Sequence, residues 1–357
     1  MNAIHFPNGQ RAVYQRLSAA VNQYFKDQNS AKTGNSTLYR KALIITSLFI
    51  SSYALIFFLP QTYHWLAWVG HGLATALVGF NIMHDGAHAS FSKSRRINRL
   101  AAMTFNLIGS NRFYWAQKHN RNHHTFTNVD ELDEDIDAFG LLRMSPRQKR
   151  LMFHRWQHIY AWFLYPLTSL FWFFALDYKA YFTQRIATRD FSHKMGWADH
   201  IEFWLSKGLY IALYLVLPAV VIGWEATITG FLLMHAILGF LFAVVFQLAH
   251  VVDQAEFPEP QKDGPNDGEM ADEWAIHQLR TTVDFATSNR LVTWALGGLN
   301  FQVEHHLFPR VSHVHYPTLH KILQPACADA AHPIRSYPTV SAALKGHYQH
   351  LKHLGSA

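Results

Sequence analysis

The stretch Ala226–His250, ATITGFLLMHAILGFLFAVVFQLAH, contains no Asp, Glu, Lys or Arg. A helix needs roughly 20 apolar residues to cross the hydrocarbon of a bilayer, so this stretch reads as a membrane span that ends on a histidine. Working backwards, only Glu225 separates it from Gly208–Trp224, a second uncharged run. Two spans joined by one residue must form a tight helical hairpin. Ala42–Pro60 and Tyr63–Met83, joined by Gln61 and Thr62, repeat the arrangement nearer the N-terminus. The sequence thus predicts an all-α integral membrane fold with spans at 42–60, 63–83, 208–224 and 226–249. Composition agrees, with 50% hydrophobic residues and only 15% charged, against about 25% charged in soluble proteins. Disorder, collagen and coiled coil are excluded.

Sidedness follows from positive charge, because Lys and Arg collect in cytoplasmic loops. All 31 lie in the N-terminal arm, between His84 and His158, between Asp177 and Lys207, or after Ala249. Neither hairpin turn holds one. A fifth apolar run, Ile159–Leu176, is interrupted by Pro166; a single crossing there would put Lys179, Arg185, Arg189 and Lys194 outside. It is therefore expected to be re-entrant or interfacial, with a true fifth span as the rival reading. The chain divides into a cytosolic arm 1–41 without a secretory signal, a membrane unit 42–323, and a cytosolic tail 324–357. The net charge of +7 then marks loops facing anionic lipid, and no nucleic-acid partner is expected. Lone Cys327 rules out an internal disulfide and a Cys-based metal cluster. The Pro- and acid-rich stretch Glu256–Gly268 reads as a loop of the cytosolic cap.

Histidine is over-represented, at 24 of 357 residues. The second predicted span runs into His84-Asp85-Gly86-Ala87-His88, where residues four apart share a helix face and both imidazoles can meet one ion. His119-Asn120-Arg121-Asn122-His123-His124 repeats the spacing, with His124 turned about 100° further on an α-helix. Gln302-Val303-Glu304-His305-His306 places Gln302, His305 and His306 on one face. His250 ends the fourth span at the surface where His84 lies. Two crossings between the early and late boxes put them all on one side. Zinc sites usually close at four ligands, so eight imidazoles suggest two ions. Imidazole suits zinc, copper, iron and nickel alike, whereas the lack of thiolate and the membrane setting favour an oxygen-activating diiron centre.

The motifs HDGAH, HNRNHH and QVEHHLFP resemble the three histidine boxes of integral-membrane fatty acid desaturases, and the similarity runs from about Ile82 to Leu323. FQLAH at 246–250 and HVHYP at 313–317 fit the same family. The resemblance implies four spanning helices, a cytosolic helical cap, and two non-haem iron ions with O2 as co-substrate. Residue by residue, the iron ligands it implies are His84, His88, His119, His123, His124, His250, His305 and His306. Gln302, a candidate ligand, stands where many members have a ninth histidine, which resembles the acyl-lipid and front-end branch. Many front-end members carry a fused cytochrome b5 with a His-Pro-Gly-Gly motif. That motif is absent here, so a separate ferredoxin- or cytochrome b5-like donor is expected beside the fatty acyl substrate and the bilayer.

Ligating imidazoles usually donate their second N–H to a carboxylate or carbonyl. Asn81, Asp85, Glu304 and His315 are candidates for that supporting role, with His313, Asp253 and the acidic run 130–137, although a solvated surface is the simpler reading of that run. Aromatic residues between Phe105 and Trp115 are expected along the acyl channel. His71 and His235, about 20 Å from their box ends, are expected in interhelical hydrogen bonds or near the far surface; His347, His350 and His353 are expected in solvent. Two other readings stand beside the desaturase: a hydroxylase or ketolase on the same scaffold, and a His-rich metal transporter, which would need ionisable groups along mid-span.

Overall fold

The computed structural model describes residues 4–7, 11–262 and 266–356 and is almost wholly helical. Five helices are long and apolar enough to cross a membrane: Ser36–Phe58, Gln61–Ala87, Met152–Thr183, Trp197–Ile222 and Trp224–His250. Four match the predicted spans, two of them ending two residues short, at Phe58 and Ile222. The fifth, Met152–Thr183, is longer than the run marked by the sequence and bends through a 3-10 turn at Tyr165–Leu167, where Pro166 lacks a donor. Asn35 starts the first long helix by accepting from the Thr37 and Leu38 backbone at 2.9 and 3.3 Å. Gly223, with φ of +87°, makes the turn between the last two, a conformation that costs a residue with a Cβ more.

Small residues bring the second and last long helices together. A Cβ on Gly72 would lie 2.8 Å from the Met234 carbonyl, and Gly79 faces the Phe242 ring. Such close backbone approach is how helices associate where surrounding lipid is as apolar as the side chains. The outward faces are apolar too, with Phe58 83% and Val220 79% exposed. Those are solvent-facing positions only if the solvent is hydrocarbon.

Met152–Thr183 follows an unusual course. Near its start His154 Nε2 lies 2.8 Å from the Gly140 carbonyl, and Gln157 donates to the Leu351 carbonyl at 2.8 Å. In its middle Ser169 Oγ is 2.9 Å from His235 Nδ1, fifteen residues before His250. Beyond that point Lys179 Nζ lies over the Phe139 ring at 5.2 Å, and Thr188 donates to the Glu131 carbonyl at 2.7 Å. Both ends therefore touch one segment, 131–140, which follows the second histidine box.

The polar termini form a packed cap. Helix Ala12–Asp27 buries Leu17, Val21 and Phe25 in a cluster with Leu319, Leu323 and Cys327 of helix Tyr316–Asp329. The last helix, Val340–Ser356, buries His347 and His350. This corrects the expectation of solvated tail histidines: His347 bonds Tyr165 Oη and the Val251 carbonyl, each at 2.6 Å, and His350 bonds the Met144 carbonyl at 3.1 Å. His353 is exposed. Part of the loop expected at Glu256–Gly268 lies outside the described residues; Gln261 and Glu269 pair across its base.

Candidate metal centre

The second box lies in a π-helical turn, Ala116–His123, which continues into an i→i−5 bond from the His124 N–H to the His119 carbonyl. On an α-helix His124 would turn away from His119. The wider turn brings His124 Nε2 to 3.2 Å from His119 Nε2 while His119 and His123 stack at 5.1 Å. Single π turns in helices often mark functional sites for this reason. The first box closes a second π turn, Gly79–Met83, and Gly86 within it lets helix Arg95–Leu107 pass: a Cβ there would lie 2.6 Å from the Ala102 nitrogen.

All eight predicted imidazoles come together and are buried. Ligand atoms of His84, His88, His119 and His305 lie within 4.8 Å of one another; so do those of His123, His250 and His306, and those of His124, His305 and His306. His84 to His305 and His124 to His306 each bring ring centroids to 4.4 Å, which joins the groups into one centre. Among the described residues, Nε2 of His84, His88, His123, His250, His305 and His306 and Nδ1 of His124 are buried without a protein partner. A buried unpaired nitrogen costs about 1–3 kcal/mol, and so many aimed at one place fit bound cations. Burial first, then repulsion from neighbouring imidazoles, holds His119, His124, His305 and His306 well below the usual histidine range, so they stay neutral with lone pairs free.

The outer nitrogens are anchored. His123 Nδ1 lies 3.0 Å from Asp133 Oδ2, His250 Nδ1 3.2 Å from the Thr281 carbonyl, His305 Nδ1 3.2 Å from Tyr316 Oη, and His306 Nδ1 2.8 Å from Gln278 Oε1. Burial alone would lower His123, but Asp133 outweighs it and raises the imidazole above its ordinary value. Asp133 belongs to the run whose simplest reading was a solvated surface, yet it is buried. Gln278 and Tyr316 lie outside every box, and nothing in their spacing singles them out.

The other sequence candidates lie further from the rings. Gln302 donates to the Leu299 carbonyl at 2.8 Å, and its side chain also reaches His250. Asp85 turns away from the imidazoles, accepting from Ser312 at 2.6 Å and lying 3.0 Å from His313, which in turn meets Lys41 at 3.0 Å. Glu304 meets His320 at 2.9 Å, with Asp284 3.2 Å from the same nitrogen. Asn81 donates to the Leu77 and Ala295 carbonyls, His315 bonds the Thr33 carbonyl, and Asp253 accepts from Tyr337. Apart from Gln302, which also reaches His250, these residues fasten the box-bearing segments to their surroundings.

Beside the centre is a largely apolar cavity of about 280 Å³ between helix Met152–Thr183 and the segment after the second box, with Lys118, Glu134, Asp135 and Asp137 also on its wall. Its inner wall includes Phe242, Phe246 and Trp172, and Phe246 lies 5.9 Å from the His119 ring. None of the expected aromatics between Phe105 and Trp115 lines it: Phe105 is fully buried and packs edge-on behind the lining residue Trp172 at 5.4 Å.

Residues 24–338 match the family model described as fatty acid desaturase. The chain belongs to that family. It is 34% identical over 343 residues to the sn-1 linoleoyl-lipid 6-desaturase of Arthrospira platensis, covering 95% of this chain and 91% of that one. With the enzyme of the same name from Synechocystis sp. it shares 35% over 354 residues, 96% and 95% of the two chains. The acyl-lipid (8-3)-desaturase of the moss Physcomitrium patens is 35% identical over 350 residues, 96% of this chain and 71% of that one. This desaturase is thus an oxidoreductase of fatty acyl chains with apolar helices suited to a membrane. The transport reading loses its path, because mid-span His71 is bonded to Ser52 and Tyr214, and His235 to Ser169 and Tyr210.

Proposed function

We propose that this desaturase acts on acyl chains carried by membrane lipids, using two iron ions held by His84, His88, His119, His123, His124, His250, His305 and His306. The gathering of these buried imidazoles into groups whose ligand atoms lie within 4.8 Å, with six of their Nε2 atoms lacking a protein partner, carries the reading. When bound, the metal pair supplies the O2-dependent redox chemistry that an unactivated C–H bond demands and that acid-base side chains cannot provide. The protein's own part is positional. Asp133, Gln278, Tyr316 and the Thr281 carbonyl fix the tautomer and tilt of the ligating rings. The cavity beside His119 holds the chain so that one pair of carbons faces the centre, and its apolar walls keep water away.

The four-span, two-hairpin topology with boxes and cap on the cytosolic side belongs to this proposal. It is supported by the course of Met152–Thr183, whose two ends both touch segment 131–140. An electron donor separate from this chain would meet that cap. The names of the relatives and Gln302 in the third box support a front-end position for the new double bond. Expression in a host of known lipid content, with mass spectrometry locating the product double bond, tests this. A new alkene on the carboxyl side of an existing one is expected; a hydroxylated or oxo product would favour the sibling oxygenases.

A further inference from the structure

The cavity beside His119 does not end inside the protein. Its outer rim is formed by Phe139, Leu141, Leu167 and Phe171, and all four side chains are exposed, between 43% and 53%. Phe139 and Phe171 meet edge to face across this rim at 5.2 Å. The rim continues outward into exposed Phe163 and Phe174 of the same helix, so it opens onto the apolar belt of the molecule. A contiguous exposed apolar surface of this kind marks contact with lipid or a partner.

Phe139 is held there by an uncommon backbone. It has φ of +53° and is followed by Gly140 at +73°, and its N–H is taken up by Asp137 Oδ1 at 2.8 Å. A bulky residue in the left-handed region is strained and persists where the surroundings impose it, often at working sites. Lys179 lies over the outer ring face. The loop thus places an aromatic plate on the mouth of a cavity whose inner wall includes Phe246, the ring that packs against His119 at 5.9 Å.

We infer that the Phe139–Phe171 pair is a lateral portal through which an acyl chain, still attached to its lipid, passes from the bilayer into the cavity. The inference rests on the desaturase reading, with its lipid-borne acyl chain, and adds the route. A chain entering here leaves its headgroup at the membrane surface near Lys179 and Asp137. The portal and the centre then set how far along the chain the reacting carbons lie.

The test uses full-length enzyme in native membranes, with Cys introduced singly by Phe139→Cys and Phe171→Cys and, as control, by Phe153→Cys, exposed but off the rim. The native Cys327 is buried, and burial pushes its thiol up to about 12, so it stays unreactive. After labelling with a bulky maleimide, lipid-linked desaturation is expected to fall at least tenfold at 139 or 171, with iron content unchanged and the labelled control fully active. Unchanged turnover after labelling at both rim positions would overturn the portal, as would an equal loss at Phe153→Cys. Absence of alkene product from unlabelled, iron-loaded wild type would instead reject the desaturase reading.

Discussion

Asp133 Oδ2 lies 3.0 Å from His123 Nδ1 and also accepts the Asn128 backbone N–H at 2.9 Å. One buried oxygen therefore ties a ligating ring to the loop that follows it. Asp133→Asn keeps the shape but removes the charge that holds His123 Nδ1–H. Loss of such a partner typically costs 10–100-fold in metal affinity or activity. Iron retained per protein after mild chelation is expected to drop in that range, while the helical circular dichroism stays.

His123→Ala and His305→Ala each remove a ligand at the junction of the groups. Both are expected to abolish alkene formation and to lower bound iron, measured by elemental analysis of purified protein. Full activity in either variant would sink the ligand assignment.

Iron should stabilise the fold as well as serve the reaction. An ion that binds only the native state raises its stability by RT ln(1 + [L]/Kd), about 2.7 kcal/mol at a hundredfold excess over Kd. Stripped enzyme is therefore expected to melt several degrees lower and to recover on adding ferrous iron. Identical melting curves would argue against an iron site.

The triad Asp284, Glu304 and His320 gives a pH signature. Burial opposes the charge on His320, but the two carboxylates outweigh it and raise the imidazole to about 10; burial and then Asp284 push Glu304 up to about 8. Both folded values exceed their unfolded ones, so the stabilisation is complete below the unfolded values and is lost as pH rises through the folded ones. The melting temperature is expected to fall between pH 7 and pH 10, by about 2–4 °C per kcal/mol lost. His320→Asn should flatten the part of that fall above pH 8.

Gly86→Leu places a branched chain where even a Cβ would meet the Ala102 nitrogen at 2.6 Å. Helix Arg95–Leu107 would be forced off the first box. Overpacking of this kind costs about 1–3 kcal/mol or more, so poor accumulation in the membrane and loss of iron are expected, with Gly86→Ala intermediate.

The histidines proposed as ligands are legible because the three-and-four rule needs only a helix, and His84, His88, His305 and His306 obey it. His124 came in for a different reason than spacing allowed, since the π turn that carries it to His119 has no sequence marker. Gln278 carries no sequence signal, and Tyr316 stands in HVHYP without a sign of its role, because a polar side chain that holds a ring is recognised only when tertiary packing brings it there. The tail was misjudged at His347 and His350. Their spacing looked solvated, but Ala343, Gly346, Leu351 and Leu354 form a buried stripe that carries both histidines inward with it. Hydrophobic length marks four of the five long apolar helices, and the fifth, Met152–Thr183, is longer than the run Ile159–Leu176 that the sequence shows because amphipathic turns extend it at both ends.

The brevity of the two hairpin turns bears on how the protein is made. In the proposed topology only the residues around Leu59–Thr62 and Gly223 pass to the far face of the bilayer. No imidazole of the boxes and no basic loop has to be translocated during synthesis. Each hairpin can enter as a unit, and the early boxes wait in the compartment where the late ones emerge. On that reading a centre that needs His305 and His306 can be completed only after the polypeptide has delivered them.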